Sequence, residues 1–298
     1  MSLLRLQGLV FCCGAILLAA MAASLGQLNS QIELLVIASL ILVLGVPHGA
    51  LDTIFASQIY GIDSLRGWIF FGSIYLFLSA LVVGIWLLQP AIFLLAFLFI
   101  SAFHFSGDPV EGTPWPTRAL YGGAVVILPT ALHAVETARL FSLLAGESAA
   151  ALVMPWLGLL AWPWLGGLIL AAIQRSRTDW LTALELVAVA ALSLLAPPLL
   201  SFTLFFCAMH SARHILRTID YSAQSSRLFV LAAALLPMFG VLVVSLIAWY
   251  FLQSTPLDAR IVQIVFVGLA ALTVPHMALV ERVRLSGWVN LKKSPPAP

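Results

Sequence analysis

The stretch Gly67–Leu88, GWIFFGSIYLFLSALVVGIWLL, contains no charged residue and is as long as the roughly 20 apolar residues that cross a bilayer. Similar runs flank it on both sides, at Leu9–Leu25, Ile32–Gly49, Ala91–Phe105, Ala119–Ala138, Ala150–Ala172, Leu181–Ala196, Leu199–Ile215, Phe229–Phe251 and Ile261–Val280. Composition agrees. Of 298 residues, 62% are hydrophobic and 9% charged, with a mean hydropathy of +1.08. An ordinary soluble globule has roughly 45–50% and about 25%. The non-polar surface must therefore face lipid. The expected fold is all-α: a polytopic membrane bundle of about ten transmembrane helices, or eight or nine if a short run is re-entrant.

Charge placement orients the bundle. With the N-terminus in the cytoplasm, the inner segments carry Arg5, Arg66, Arg118, Arg175, Arg177, Arg213, Arg217, Arg227, Arg282, Arg284, Lys292 and Lys293, and the outer links carry only Arg139 and Arg260. This positive-inside bias predicts a multi-pass protein of the cell inner membrane with both termini cytoplasmic. Arg5, the apolar core after it and the small residues Ala19–Ala23 have the outline of a signal peptide, but the run is read as a retained first helix. Residues 1–287 are expected to form a single transmembrane domain, which would be the catalytic domain if the chain is an enzyme, and 288–298, with two lysines and three prolines, a short cytoplasmic tail. A formal charge of +2, with no basic run among aromatics, excludes nucleic acid as a partner. Cys12, Cys13 and Cys207 lie in apolar runs and have neither a disulfide framework nor zinc-type spacing.

Six histidines stand out in so apolar a chain. His48, His104, His210, His214 and His276 all fall near the cytoplasmic ends of even-numbered runs. His133 is deeper, where Pro129 is expected to break its helix. His210 and His214 share one helix face in CAMHSARH and can reach one metal. Asp52 follows His48 by four residues in PHGALD, and Asp108 follows His104 by four in FHFSGD. A carboxylate so placed can accept the ring proton distal to a metal and fix the tautomer. Glu136 after His133, and Glu281 after His276, are weaker candidates for the same support. Ionisable groups within spans are costly and mark sites. Neutral nitrogen donors suit iron, zinc, copper or nickel, and spacing alone does not choose among them. Phe55, Phe103, Phe105, Trp115 and Phe206 lie near this layer in sequence and are candidates, with His133 and His276, for tunnel lining or support. Gly122–Gly123 and Gly166–Gly167 permit close helix packing.

VPHGALD, SAFHFSGD, LPTALHAVE, CAMHSARH and VPHMALVE, in this order, resemble the Brp/Blh family of bacterial and archaeal beta-carotene dioxygenases. The resemblance runs from about Leu35 to Arg284, and PHGALD and HSARH are its most specific pieces. It implies a polytopic membrane enzyme that cleaves beta-carotene at the central double bond with O₂. The products would be two all-trans-retinal molecules, passed to a microbial rhodopsin. It implies Fe(2+) as cofactor, with His48, His104, His210 and His214 as catalytic metal ligands. Asp52 and Asp108 are then outer partners of the ligands, and membrane lipid supplies the substrate. Alternatives from other classes are a desaturase-like or zinc-hydrolytic membrane metalloenzyme, and a carotenoid- or retinal-binding or transport protein.

Overall fold

A computed structural model describes residues 2–22, 30–222 and 227–285, which contain helices and turns but no strand. Among the described residues, all ten apolar runs are helical apart from short breaks such as that at His133. They comprise α1 (Leu3–Met21), α2 (Ser30–Leu40) continuing into α3 (Pro47–Ala50) and α4 (Asp52–Tyr60), α5 (Leu65–Leu88), α6 (Pro90–Phe105), α7 (Trp115–Ile127), α8 (Pro129–Leu132) and α9 (Ala134–Ala145). Then follow α10 (Glu147–Ser176), α11 (Trp180–Leu195), α12 (Pro198–Leu204) continuing into α13 (Ala212–Tyr221), α14 (Arg227–Phe251) and α15 (Leu257–Leu285). The chain is a polytopic membrane protein.

Among the described residues, seven helices are long and apolar enough to cross a membrane, and the pair α7–α8 with α9 makes an eighth if it is one bent span. The remaining two runs form α6 and α11, each of 16 residues. Such helices are about 24 Å long, short of a hydrocarbon core about 30 Å thick. Apolar length in sequence does not distinguish these cases. The expected break near Pro129 is present, but the chain turns by 117° between Leu132 and Ala134, at His133. The tail 288–298 lies outside the described residues.

Prolines set several starts: Pro47, Pro90, Pro129 and Pro198 stand in the first turns of α3, α6, α8 and α12, where a missing N–H costs nothing. Pro275, inside α15, is different, because it leaves the Ala271 carbonyl without its helical donor. The Ser79 hydroxyl of α5 donates to that oxygen at 3.0 Å. In lipid such rescue has to come from a neighbouring helix. Helix α1 is tied into the bundle: the Gln7 amide donates to the Ala208 carbonyl at 2.7 Å, and its oxygen accepts from Arg213 Nε at 2.9 Å. At Gly122 a Cβ would run into the Ala102 carbonyl and the Ser106 backbone, so only glycine lets α7 cross α6 this closely. That crossing lies at the end of α6, where His104 stands.

Candidate metal centre

Five imidazoles converge. His48 on α3, His104 on α6, His210, His214 on α13 and His276 on α15 are all buried. His48, His210, His104 and His276 form a closed ring of edge contacts, with successive centroid separations of 5.0, 4.5, 5.1 and 5.1 Å. His214 leans on one side of it, 5.5 Å from His48 and 5.1 Å from His276. One ring nitrogen each from His48, His104 and His276 lie within 4.8 Å of one another, the spacing of a metal-binding group.

The nitrogens that face inward are unsatisfied by protein. Nε2 of His104, His210 and His276 is buried without a hydrogen-bond partner. Each such atom is costly unless something else ligates it. Unpartnered ring nitrogens on imidazoles packed this closely fit a first-row transition metal with a taste for imidazole.

On three of the five rings the other nitrogen, Nδ1, is held. His276 Nδ1 meets Asp52 Oδ1 at 2.6 Å, and the other Asp52 oxygen accepts from the Tyr75 hydroxyl at 3.0 Å. His210 Nδ1 faces both oxygens of Asp108, at 3.0 and 3.1 Å. His48 Nδ1 faces the Gly45 carbonyl, with Ser211 Oγ at 3.1 Å. Opposite an acceptor, Nδ1 carries the proton and Nε2 keeps its lone pair. Three imidazoles are thus fixed in one tautomer.

Local backbone makes this possible. The turns Ile41–Gly45 and Phe205–Ser211 are π-helical, one directly before His48 and the other containing His210. Such turns are frequent at functional sites and leave carbonyls out of the regular ladder, as Gly45 is here. A Cβ at Gly45 would overlap the Phe206 ring, which packs against His48 at 5.4 Å.

The structure corrects several expectations from spacing. Asp52 supports His276 rather than His48, and Asp108 supports His210 rather than His104, because the carboxylates reach across helices and not along them. His276 stands inside the cluster with Asp52 against its ring, instead of depending on Glu281. Glu136 pairs with His133, 3.8 Å apart, at the bend before α9, where both are partly exposed and neither joins the five rings. Phe55, Phe105 and Phe206 do touch the cluster: Phe55 lies 5.7 Å from His214, and Phe105 and Phe206 lie 4.9 and 5.7 Å from His210. Phe103 and Trp115 pair with each other at 6.0 Å, with Trp115 exposed beside a polar cavity.

That polar cavity, about 720 Å³, adjoins one side of the layer and is bordered by Gly107, Arg118, Arg213 and Arg217. Arginine side chains hold the turn that carries Asp108. Arg213 and Arg217 donate to the Asp108 carbonyl at 3.1 and 2.9 Å. Arg118 spans the carbonyls of Ser106, Val110 and Thr113. Arg213 is itself buried, in a double contact with Glu185 at 2.6 and 3.1 Å. An interfacial anchor, the reading its sequence position suggests for Arg213, would be exposed.

The model of the family described as beta-carotene 15,15'-dioxygenase matches residues 39–283, which include all five clustered histidines. The chain belongs to this family. A beta-carotene 15,15'-dioxygenase of an uncultured marine bacterium (66A03) is 33% identical over 262 residues, covering 82% of this chain and 91% of the relative. No solved structure matches. Within this carotenoid-cleaving dioxygenase family, the residues that spacing did not single out are Tyr75, Glu185 and Ser211. Glu185 had a usable signal, as the one acid in the run Leu181–Ala196. Tyr75 had less, a hydroxyl in an otherwise apolar stretch.

Tyr75 gives a direct test of the arrangement. Without its hydroxyl, Asp52 loses one of its two partners and holds His276 less firmly. Tyr75→Phe is expected to weaken cobalt(II) binding about tenfold, the low end of what outer partners contribute, with α5 still packed. Titration of metal-free protein with cobalt(II), followed by its visible absorption, reads this; unchanged affinity removes the role.

Proposed function

We propose that the chain cleaves beta-carotene at its central double bond with O₂, giving two all-trans-retinal molecules. The cofactor is iron(II), held by His48, His104, His210 and His214, with His276 joining them. The observation that carries this is the convergence of five buried imidazoles, three with tautomers fixed by Asp52, Asp108 and the Gly45 carbonyl. Iron(II), when bound, would supply an open coordination position and the one-electron chemistry that activates O₂, while the four electrons that O₂ takes up come from the double bond that is cleaved.

The chain's own residues do the rest. The imidazoles present neutral nitrogens, and the carboxylates of Asp52 and Asp108 offset the metal's charge from one group away. Both carboxylates are committed to histidine Nδ1 atoms, which leaves neither as the general base of a zinc hydrolase. Phe105 and Phe206 cover the cluster with apolar rings on the His210 side. The substrate partitions into hydrocarbon and arrives through the lipid. Retinal leaves the same way for a rhodopsin partner.

Expression in a beta-carotene-producing bacterium tests the reading. The expected result is loss of orange colour with retinal accumulating at close to two per carotene consumed. Unchanged carotene with pigment co-purifying on the protein would overturn catalysis in favour of binding.

We also propose an inner-membrane protein with both termini cytoplasmic and residues 1–287 as one catalytic domain. The uneven placement of lysine and arginine supports it, as does the polar cavity on one side of the histidine layer. Ten crossings add the bent pair, and α6 and α11 across a locally thinned bilayer, to the seven long helices. A reporter fused after Pro298 is expected to be active in the cytoplasm; activity in the periplasm would defeat this orientation.

A further inference from the structure

On the side of the histidine layer away from the arginines lies a second cavity, of about 90 Å³, walled by α6, α7, α9, α12 and α15. Its lining is apolar apart from Ser101 and Thr137, and the Thr137 hydroxyl is spent on the His133 carbonyl. The cavity meets the candidate metal centre through rings. Phe202, Phe206 and His210 are spaced four apart and stack in a row, at 5.3 Å and 11° and then at 5.7 Å and 17°. Phe105, another wall residue, lies edge-on to His210 at 4.9 Å. Farther from the layer, Phe266 packs on Phe202 at 5.2 Å and on Phe97 at 6.3 Å.

Depth fits a long thin ligand. Along α15, Phe266 stands ten residues before His276, and Val262 fourteen, which is about 15 and 21 Å at 1.5 Å per residue. Along α6, Leu98 stands six residues before His104, about 9 Å. The lining residues therefore start one ring from His210 and extend away from the layer over about 20 Å of helix. Central cleavage requires that a symmetric polyene extend in two directions from the metal, so each half needs its own apolar channel.

We propose that this cavity is one of the two arms of the substrate site, holding one half-chain of the polyene with the phenyl rings of Phe97, Phe202 and Phe266 against its faces. The assignment rests on the carotenoid-cleaving reading. Phe105 and Phe206, at the inner end, deliver the chain from the arm to the imidazoles. The polar cavity on the other side takes no part in holding hydrocarbon. The free space of about 90 Å³ is smaller than a half-chain, so the wall side chains have to move outward as the polyene enters.

Filling the arm tests the proposal. Leu98→Trp on α6 and Val262→Phe on α15 narrow it from opposite walls, and iron content of the purified protein reports whether each variant assembles. Two substrates are compared: beta-carotene, and a beta-apocarotenal shortened on one arm but keeping the central bond. The filled variants that retain iron are expected to lose at least about tenfold in kcat/KM for beta-carotene and less than about threefold for the shortened substrate, because the short end now occupies the narrowed arm. A filled variant that keeps its iron and treats the two substrates alike, whether by slowing both or neither, overturns the arm. A wild-type protein that cleaves neither substrate overturns the functional reading itself, a distinguishable result.

Discussion

Replacing His276 by alanine is expected to cost the protein its iron and its retinal-forming activity as completely as replacing His210. The sequence ranks His276 lower, since its nearest acid is five residues away and the four histidines implied by family resemblance do not include it. Geometry argues otherwise. His276 closes the ring of imidazoles between His48 and His104, and it shares with them the group of nitrogens within 4.8 Å. Its Nε2 is buried without a partner, while Asp52 and Tyr75 hold its other side. A carboxylate contact braced by a tyrosine would be wasted behind a ring that merely packs. Loss of an outer partner costs roughly 10–100-fold in metal affinity, so loss of a ligand should exceed about 100-fold. Iron per chain and retinal yield, measured on His276→Ala and His210→Ala in parallel, decide it. Full iron and full cleavage in His276→Ala would return the set to His48, His104, His210 and His214.

The fold class was legible because lipid imposes one rule on every residue of a span, and apolar length records it directly. The depth of the histidines was legible for the same reason: charge bias and run ends place them in one layer before any contact is known. Partners within the layer were not. Asp52 and Asp108 sit four residues from histidines, and that spacing favours a contact along one helix. Helix α3 is only four residues long and Asp52 opens a new helix, so its carboxylate turns toward α15. Asp108 lies in the turn beyond α6, where the chain has left the helical repeat, and it meets His210 on another element. Periodicity describes neighbours on a regular helix, and here both carboxylates stand where the helix has just ended or just begun. The two π-helical turns are a further reason, because they rotate everything after them by part of a turn that sequence spacing does not contain.

The second large effect is expected outside the imidazole cluster, at Glu185. Arg213 stands between His210 and His214 in the sequence and is as deeply buried as they are. Its guanidinium is held by Glu185 in two contacts and by the Gln7 oxygen, and it reaches the Asp108 carbonyl. Glu185→Ala leaves that cation in an apolar bundle without its counter-charge, a loss of about 3–5 kcal/mol in measured buried pairs. Thermal melting in detergent is expected to fall sharply, and iron is lost with the fold. The double variant Glu185→Leu, Arg213→Met separates the two consequences. Removing both charges removes the desolvation cost as well, and apolar replacements of similar volume are often neutral or better for stability. Melting should therefore recover. Iron affinity should not, because the Asp108 carbonyl keeps only Arg217, and the carboxylate behind His210 loses part of its support. If the double variant regains iron affinity together with stability, Arg213 serves the fold alone and the link from α11 through Asp108 to the metal centre is wrong.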